Sequence, residues 1–236
     1  MQTRTKGIML AAIHQPQFMP WLGYFDKMDR CDVFVLLDNV QYKKNEYQNR
    51  NRIKTSQGWQ WLTVPVKYRF PQMINEVQID NSVDWQKKHL HALETNYRKA
   101  HYFEKYINLF KEFYSKEWQT LSQVNIASIA LLKDILGIKT RVVIASEMQG
   151  LRDEPNLRLI DICKRLGADT YLAGKDGRNY MNLDLFNDAG IKLEFQEFKH
   201  PAYPQLFGRF EYFMSAIDLT FNCGNESLEI IRKEMI

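Results

Sequence analysis

The sequence has no internal repeat, no low-complexity stretch and no clear linker, which argues against a solenoid, a disordered tail or a chain of separate modules. Cysteine is scarce: Cys31, Cys163 and Cys223 are odd in number, far apart and without the paired spacing of zinc or redox motifs, so they read as reduced thiols. No apolar run approaches the length needed to cross a bilayer. The apolar run at residues 8–13 that follows the polar, basic start is too short for a signal peptide, so a cytoplasmic location is expected. Charge of one sign is nearly absent as a signal, with 32 basic against 28 acidic side chains giving +4. That mild bias tolerates an anionic ligand but lacks the concentrated excess of a dedicated nucleic-acid binder. The phosphate loop GxxxxGK[ST], the dinucleotide loop GxGxxG and the zinc-protease pattern HExxH are all missing.

What remains is a chain of 236 residues, 45% hydrophobic and 25% charged, long enough to bury a full core without metals or crosslinks. Residues 7–13 form a short apolar run, HQPQFMP breaks it with two prolines, and WLGYFDKMDR resumes at helical spacing; residues 32–37 (DVFVLL) then read as a strand buried on both faces. A strand, a helix and a buried strand within some thirty residues make a βαβ unit and hence a parallel sheet. WQWLTVPV reads as a further strand, and residues 83–136 turn helical, with about three helices. Strand and helix then alternate again: TRVVIAS, PNLRLIDICKRLG with Pro155 near its start and Gly167 just past its end, DTYLAG, NLDLFNDAG, IKLEFQEF and a final helix ESLEIIRKEMI. The fold class expected is α/β, a mostly parallel twisted sheet with flanking helices, Rossmann-like or nucleotidylyltransferase-like, in one domain over residues 1–236 with a helical insertion or layer at 83–136.

Ligands of open parallel sheets bind beyond the carboxyl ends of the strands. His14 and Gln15 follow the first strand, Asp38 and Asn39 the second, and GKDGRNY follows TYLAG. A neutral His14 in that loop can accept a proton, or it can simply bond the loop backbone. Residues 41–52 interleave Lys43, Lys44, Arg50 and Arg52 with Gln41, Tyr42, Asn45, Tyr47, Asn49 and Asn51; guanidinium forks take phosphate oxygens in pairs and amides read hydroxyls or base edges, while the plainer reading is a solvated loop. Gly174 to Gly177 with Lys175 suits an anion at a strand-to-helix turn, and equally an ordinary turn. In HPAYPQ the prolines stiffen the backbone around His200, Tyr203 and Gln205. Asn222, Cys223 and Gly224 read as the cap or loop before the last helix.

Taken together, AIHQPQFMPWLGYFDKM, DVFVLLDNVQYKKNEYQNRNRI, WLTVPV, TYLAGKDGRNY, FKHPAYPQLFGRF and SAIDLTFNCG resemble the WbqC-like family, in order over nearly the whole chain. The resemblance implies a protein encoded among O-antigen or capsular polysaccharide genes, with a glycine-transferase role suggested for the family. It marks His14, Gln15, Asp38, Asn39, Asn49, Arg50, Lys175, His200 and Tyr203 as site residues. A fainter likeness runs to nucleotidylyltransferase-type folds, whose HxGH is absent here because Pro16 and Pro20 occupy the loop.

The leading expectation is an aminoacyl transferase acting on the amine of a dTDP- or UDP-linked amino sugar. His14 or His200, with Asp38, would carry catalysis; Arg50, Arg52 and Lys44 would bind the diphosphate; Asp38 and Asn39 would hold sugar hydroxyls or the amine; Gln15, Gln41, Asn49, Lys175, Tyr203 and Gln205 would complete the contacts. No cofactor or metal site is evident, and the acyl donor is either an aminoacyl-tRNA or an adenylate made from ATP and Mg²⁺. The alternatives are an adenylate-forming or nucleotidylyl-transfer enzyme and a non-catalytic nucleotide-sugar-binding protein.

Overall fold

A computed structural model of the chain describes residues 9–233. The expected start of the first strand at Gly7 and Ile8, and the expected last helix residues Glu234, Met235 and Ile236, lie outside the described residues. In chain order the elements are β1 (Leu10–His14), α1 (Leu22–Arg30), β2 (Val33–Leu36), β3 (Arg50–Thr55), β4 (Gly58–Thr63), β5 (Val66–Lys67), β6 (Gln78–Ile79), α2 (Trp85–Tyr97), α3 (Phe103–Ser115) and α4 (Leu121–Leu136). They continue with β7 (Arg141–Ile144), α5 (Pro155–Leu166), β8 (Thr170–Ala173), α6 (Leu183–Asp188), β9 (Lys192–Phe195), α7 (Ala216–Cys223) and α8 (Ser227–Arg232). The described residues pack into two compact units: 9–15, Lys27–Leu37 and Thr140–Phe198 make the first, and Pro16–Asp26, Asp38–Lys139 and 199–233 the second.

The first unit holds a five-stranded sheet in the order β7-β2-β1-β8-β9, parallel at every pairing. Burial explains the order: β2 and β8 are buried throughout and β1 nearly so, while β7 and β9 are half-exposed edges. The chain lays down β1, β2 and β7 toward one edge, then returns to the other side of β1 with β8 and β9. The order therefore reverses between β1 and β8, as in a Rossmann-like sheet. Ile160, Ile162 and Cys163 of α5 and Phe186 of α6 join Ile13, Val35 and Tyr171 in the core of this unit. Pro155 opens α5 at its first turn, and Gly167 closes it at φ 69°, a left-handed position that suits a residue without a Cβ.

The second unit carries the antiparallel hairpin β3–β4, the short pair β5–β6 and the helices α2, α3, α4, α7 and α8. Thr120 and Gln123 form a reciprocal cap at the start of α4, satisfying backbone donors that a helix N-terminus leaves open. Phe221 of α7 is fully buried against Tyr97, Phe103 and Phe110, so the aromatics of the helical stretch serve as core. Two sequence expectations are corrected. Residues 50–52 begin a strand rather than end a loop, and Asn222 and Cys223 are the last turn of α7 rather than a cap before the final helix.

Among the rings of Phe18, Trp85 and Tyr114 sits His89, 5% exposed, its Nε2–H donating to the Thr63 carbonyl at 3.1 Å. Its Nδ1 is buried and receives no hydrogen bond. Burial pushes its pKa from 6.5 down to about 4, against the pull of Thr63. A depressed folded pKa gives stability that is present above about pH 6.5 and lost as pH falls through about 4, here on the order of 3 kcal/mol. Urea unfolding at pH 5 and pH 7 is expected to show a smaller acid loss in His89→Phe than in the parent, and an unchanged loss would remove His89 from the acid response.

Candidate functional site

In the first unit, His14 is the last residue of β1 and pairs with Leu36 of β2, and its carbonyl accepts Leu37 N–H at 2.8 Å. The imidazole Nδ1 lies 3.0 Å from the Gln15 carbonyl, which makes Nδ1 the protonated nitrogen and Nε2 the acceptor of a neutral ring. Burial first, and the Lys27 charge second, push the His14 pKa from 6.5 down to about 3, while the Gln15 carbonyl pulls the other way. The register pairs Ala12 with Leu172, so His14, the last residue of β1, is level with Gly174, the first residue past β8. Gly174 has open space where a Cβ would point, and Lys175 begins a tight 3-10 turn, Lys175–Asn179, from there. Gly177 is a glycine for packing: a Cβ would meet Met181 Sδ at 2.9 Å and Ala173 at 3.2 Å. The geometry of this edge is thus a neutral imidazole beside an open, lysine-bearing turn at the point where strand order reverses.

Below it lies a residue the sequence did not mark. Lys27, 2% exposed, donates from Nζ to the Ile13 carbonyl at 2.9 Å and stands 5.9 Å over the Tyr171 ring. Burial holds its pKa down at about 8, and Cys31 opposes this. The buried Cys31 and Cys163 thiols are themselves pushed up to about 12.

In the second unit, Asp38 is 2% exposed and accepts a hydrogen bond from Ser122 Oγ at 3.2 Å, while its carbonyl takes Asn75 N–H at 3.0 Å. Gln41 bridges to Met73, and Lys43 and Lys44 are exposed. Asn49 is buried and donates to the Val64 carbonyl at 2.9 Å. Arg50 donates to the Asn45 carbonyl and lies 4.3 Å over Trp61; Arg52 lies 5.0 Å over Trp59 and donates to the Phe213 carbonyl at 3.4 Å. A depression of about 540 Å³ lined by Val66, Lys67, Tyr68, Arg69 and Gln72 includes none of the expected residues.

The HPAYPQ segment is held from inside. His200 places Nδ1 2.9 Å from the Pro201 carbonyl and accepts Phe213 N–H on Nε2 at 3.2 Å, which ties the two ends of the loop together and lets its ring stack on Trp21. Tyr203 and Gln205 donate to Asp218 at 2.9 and 2.8 Å, and Gln205 also clasps the Glu211 backbone in both directions. Lys54, 1% exposed, donates to Gln205 Oε1 at 3.2 Å and to the Arg209 carbonyl. These groups position the loop; both His200 nitrogens are engaged by backbone.

The structure therefore gathers His14, Gln15 and Lys175 in one unit, and Asp38, Asn39, Gln41, Lys44, Asn49, Arg50, Arg52, His200, Tyr203 and Gln205 in the other. Sequence reasoning placed the helix α4 but missed its polar side chains: Asn125 donates to the Pro16 and Gln48 carbonyls at 3.1 and 2.7 Å and Ser128 receives Met19 N–H at 3.0 Å. The available signal was small polar residues, Ser122, Asn125 and Ser128, every third position along an otherwise apolar helix.

Comparison with known proteins agrees along nearly the whole chain. Residues 15–230 match the WbqC-like protein family. A relative from Mycobacterium tuberculosis, "Uncharacterized protein Rv1507c", is 39% identical over 225 residues, covering 94% of this chain and 96% of that protein. No solved structure matches.

Proposed function

This chain belongs to the WbqC-like protein family, and from that premise we propose that it works in the building of O-antigen or a related surface polysaccharide, transferring an aminoacyl group such as glycyl to the amine of a dTDP- or UDP-linked amino sugar. The observation that carries the reading is the reversal of strand order between β1 and β8, with His14 and the Gly174–Lys175 turn level at its carboxyl edge. Lys175 and the open backbone at Gly174 suit a nucleotide phosphate. His14, held neutral with Nε2 as acceptor, takes a hydrogen bond from the attacking amine. The amine nitrogen forms a bond to the acyl carbon, the ester C–O bond breaks, and the amine proton passes by way of His14 toward the departing oxygen. The donor is an aminoacyl ester of the kind carried on tRNA.

A thermal-shift screen against UDP-, dTDP-, GDP- and CMP-sugars, with ATP and Mg²⁺ alongside, tests the reading. A ligand at about a hundred times its dissociation constant adds roughly 2.7 kcal/mol, and a nucleotide sugar is expected to give the largest shift. With that sugar in hand, His14→Ala is expected to lower turnover by about a hundred- to ten-thousand-fold. One observation favours a second reading, a non-catalytic nucleotide-sugar carrier: a histidine pushed down to about 3 is a weak base. Affinity retained with no turnover in the parent protein, or turnover within a few-fold after His14→Ala, would decide for the carrier or against His14.

A further inference from the structure

The β3–β4 register sets Arg52 directly across from Trp61, with Arg50 and Trp59 as their diagonal neighbours on the same face of the hairpin. The opposite face, Asn51, Ile53 and Leu62, is buried; on the arginine–tryptophan face Trp59 is exposed and Arg50, Arg52 and Trp61 are half-buried, while Lys54, across from Trp59, is buried against Gln205 and Arg209. Along the arginine–tryptophan face cations and rings alternate. Arg50 lies 4.3 Å over Trp61, and Arg52 lies 5.8 Å over Trp61 and 5.0 Å over Trp59. Tyr47 extends the row, its ring 5.9 Å from Trp61, and Trp59 is 42% exposed.

Neither guanidinium has a carboxylate within ion-pair distance among the described residues, and the Nε–H of each is buried without an acceptor. Two arginines that give only one hydrogen bond each, both to backbone carbonyls, retain most of their five donors and their full charge. A guanidinium spread on an indole keeps its edge for phosphate oxygens, and an exposed indole offers a face to a base. One base with its phosphate would use one ring and one cation; the alternation here repeats along the strand direction, and the exposed Lys44 continues the positive charge on the preceding loop.

We propose that this hairpin face is a platform for a single-stranded stretch of nucleic acid, with bases stacked on Trp59 and Trp61 and phosphates on Arg50 and Arg52. The role that follows, holding an RNA-borne aminoacyl donor by its unpaired end, rests on the transferase reading; the binding does not. Stacking on aromatic residues tolerates any base sequence, so affinity should depend on strandedness and salt rather than sequence.

The test is fluorescence anisotropy of a labelled eight-nucleotide RNA, with a duplex of the same length and ADP as comparisons, over a series of salt concentrations. Single strands are expected to bind more tightly than duplex or ADP, with a log–log salt slope that loses about 0.7 when Arg52 becomes alanine. Trp59→Ala, at a position 42% exposed, is expected to weaken binding by roughly five- to a hundred-fold while far-UV circular dichroism and melting temperature stay near those of the parent. Arg52→Lys should keep the slope and still lose affinity, because lysine carries the charge without the stacked fork. Equal affinity for ADP, preference for duplex, no binding by any probe, or indifference to Trp59→Ala and Arg52→Ala would each overturn the proposal. The nucleotide-sugar screen reads the transferase reading separately, so either can fail alone.

Discussion

Asp218→Ala is expected to lower the stability of the protein by about 3–5 kcal/mol, the usual cost of removing one partner from a buried charged network. Asp218 on α7 is fully buried and accepts from Tyr97 Oη at 2.8 Å, Tyr203 Oη at 2.9 Å and Gln205 Nε2 at 2.8 Å. Alanine would strand all three donors without water to replace the carboxylate. In a chain of this length the loss corresponds to a melting temperature lower by about 6–20 °C. Burial raises the Asp218 pKa from 3.8 to about 6, while its three hydrogen bonds and Lys54 pull it down. A folded pKa above the unfolded one gives stability that is complete below about pH 3.8 and lost as pH rises through about 6, on the order of 3 kcal/mol. The sign is opposite to that of His89, so Asp218→Asn should remove a contribution that favours acid and leave the protein more acid-sensitive in relative terms. Calorimetry from pH 4 to pH 7 reads both effects. A melting temperature for Asp218→Ala within two degrees of the parent would show that the network contributes little.

Lys27→Met is expected to move stability the other way, up by about 1–3 kcal/mol at pH 7. Its folded pKa of about 8 lies below the ordinary 10.5, so the stability linked to it is complete only above about 10.5 and is lost as pH falls through about 8. At neutral pH the charged amine sits in the fold at a cost on the order of 3 kcal/mol, part of which the bond to Ile13 offsets. Methionine fills similar volume without the charge. The same change should raise the His14 pKa, because Lys27 is the second cause of its depression, and a histidine NMR titration would follow it directly. A cost of this kind kept beside a strand-end imidazole fits a group held for its chemistry, and under the transferase reading Lys27→Met should gain stability while losing turnover. If Lys27→Met melts below the parent, the ammonium is instead a strut for β1.

The sheet was readable from sequence because its central strands are continuous apolar runs and its helices carry their own punctuation: DVFVLL became β2, TYLA became β8, and Pro155 and Gly167 bracket α5. The hairpin was not, because Arg50, Asn51 and Arg52 look like loop composition until Trp61 pairs across from Arg52 and the rings of Trp59 and Trp61 pack against the arginines. Lys27 sits in α1 between Asp26 and Met28, near Asp29 and Arg30, where a lysine ordinarily reaches to solvent; its place under the ring of Tyr171, which is distant in sequence, came only with the fold. His14 and Lys175 could be placed at strand ends from pattern alone, but their being level required the pairing of β1 with β8. In HPAYPQ the prolines signalled rigidity correctly. What the pattern could not give was Asp218, the acceptor that fixes Tyr203 and Gln205 from another element.

Each compact unit draws on three separate lengths of chain. On the ribosome this imposes a wait: β2 is complete at Leu36, yet its neighbour β7 begins only at Arg141. About a hundred residues must emerge in between, which at typical elongation rates takes roughly 5–20 s. For that interval β1 and β2, two apolar strands that end up in the middle of a sheet, have unpaired edges of the kind that attract other chains. Nascent chains stalled between these points should be the ones that engage chaperones, and no single cut in the gene would separate one unit cleanly from the other.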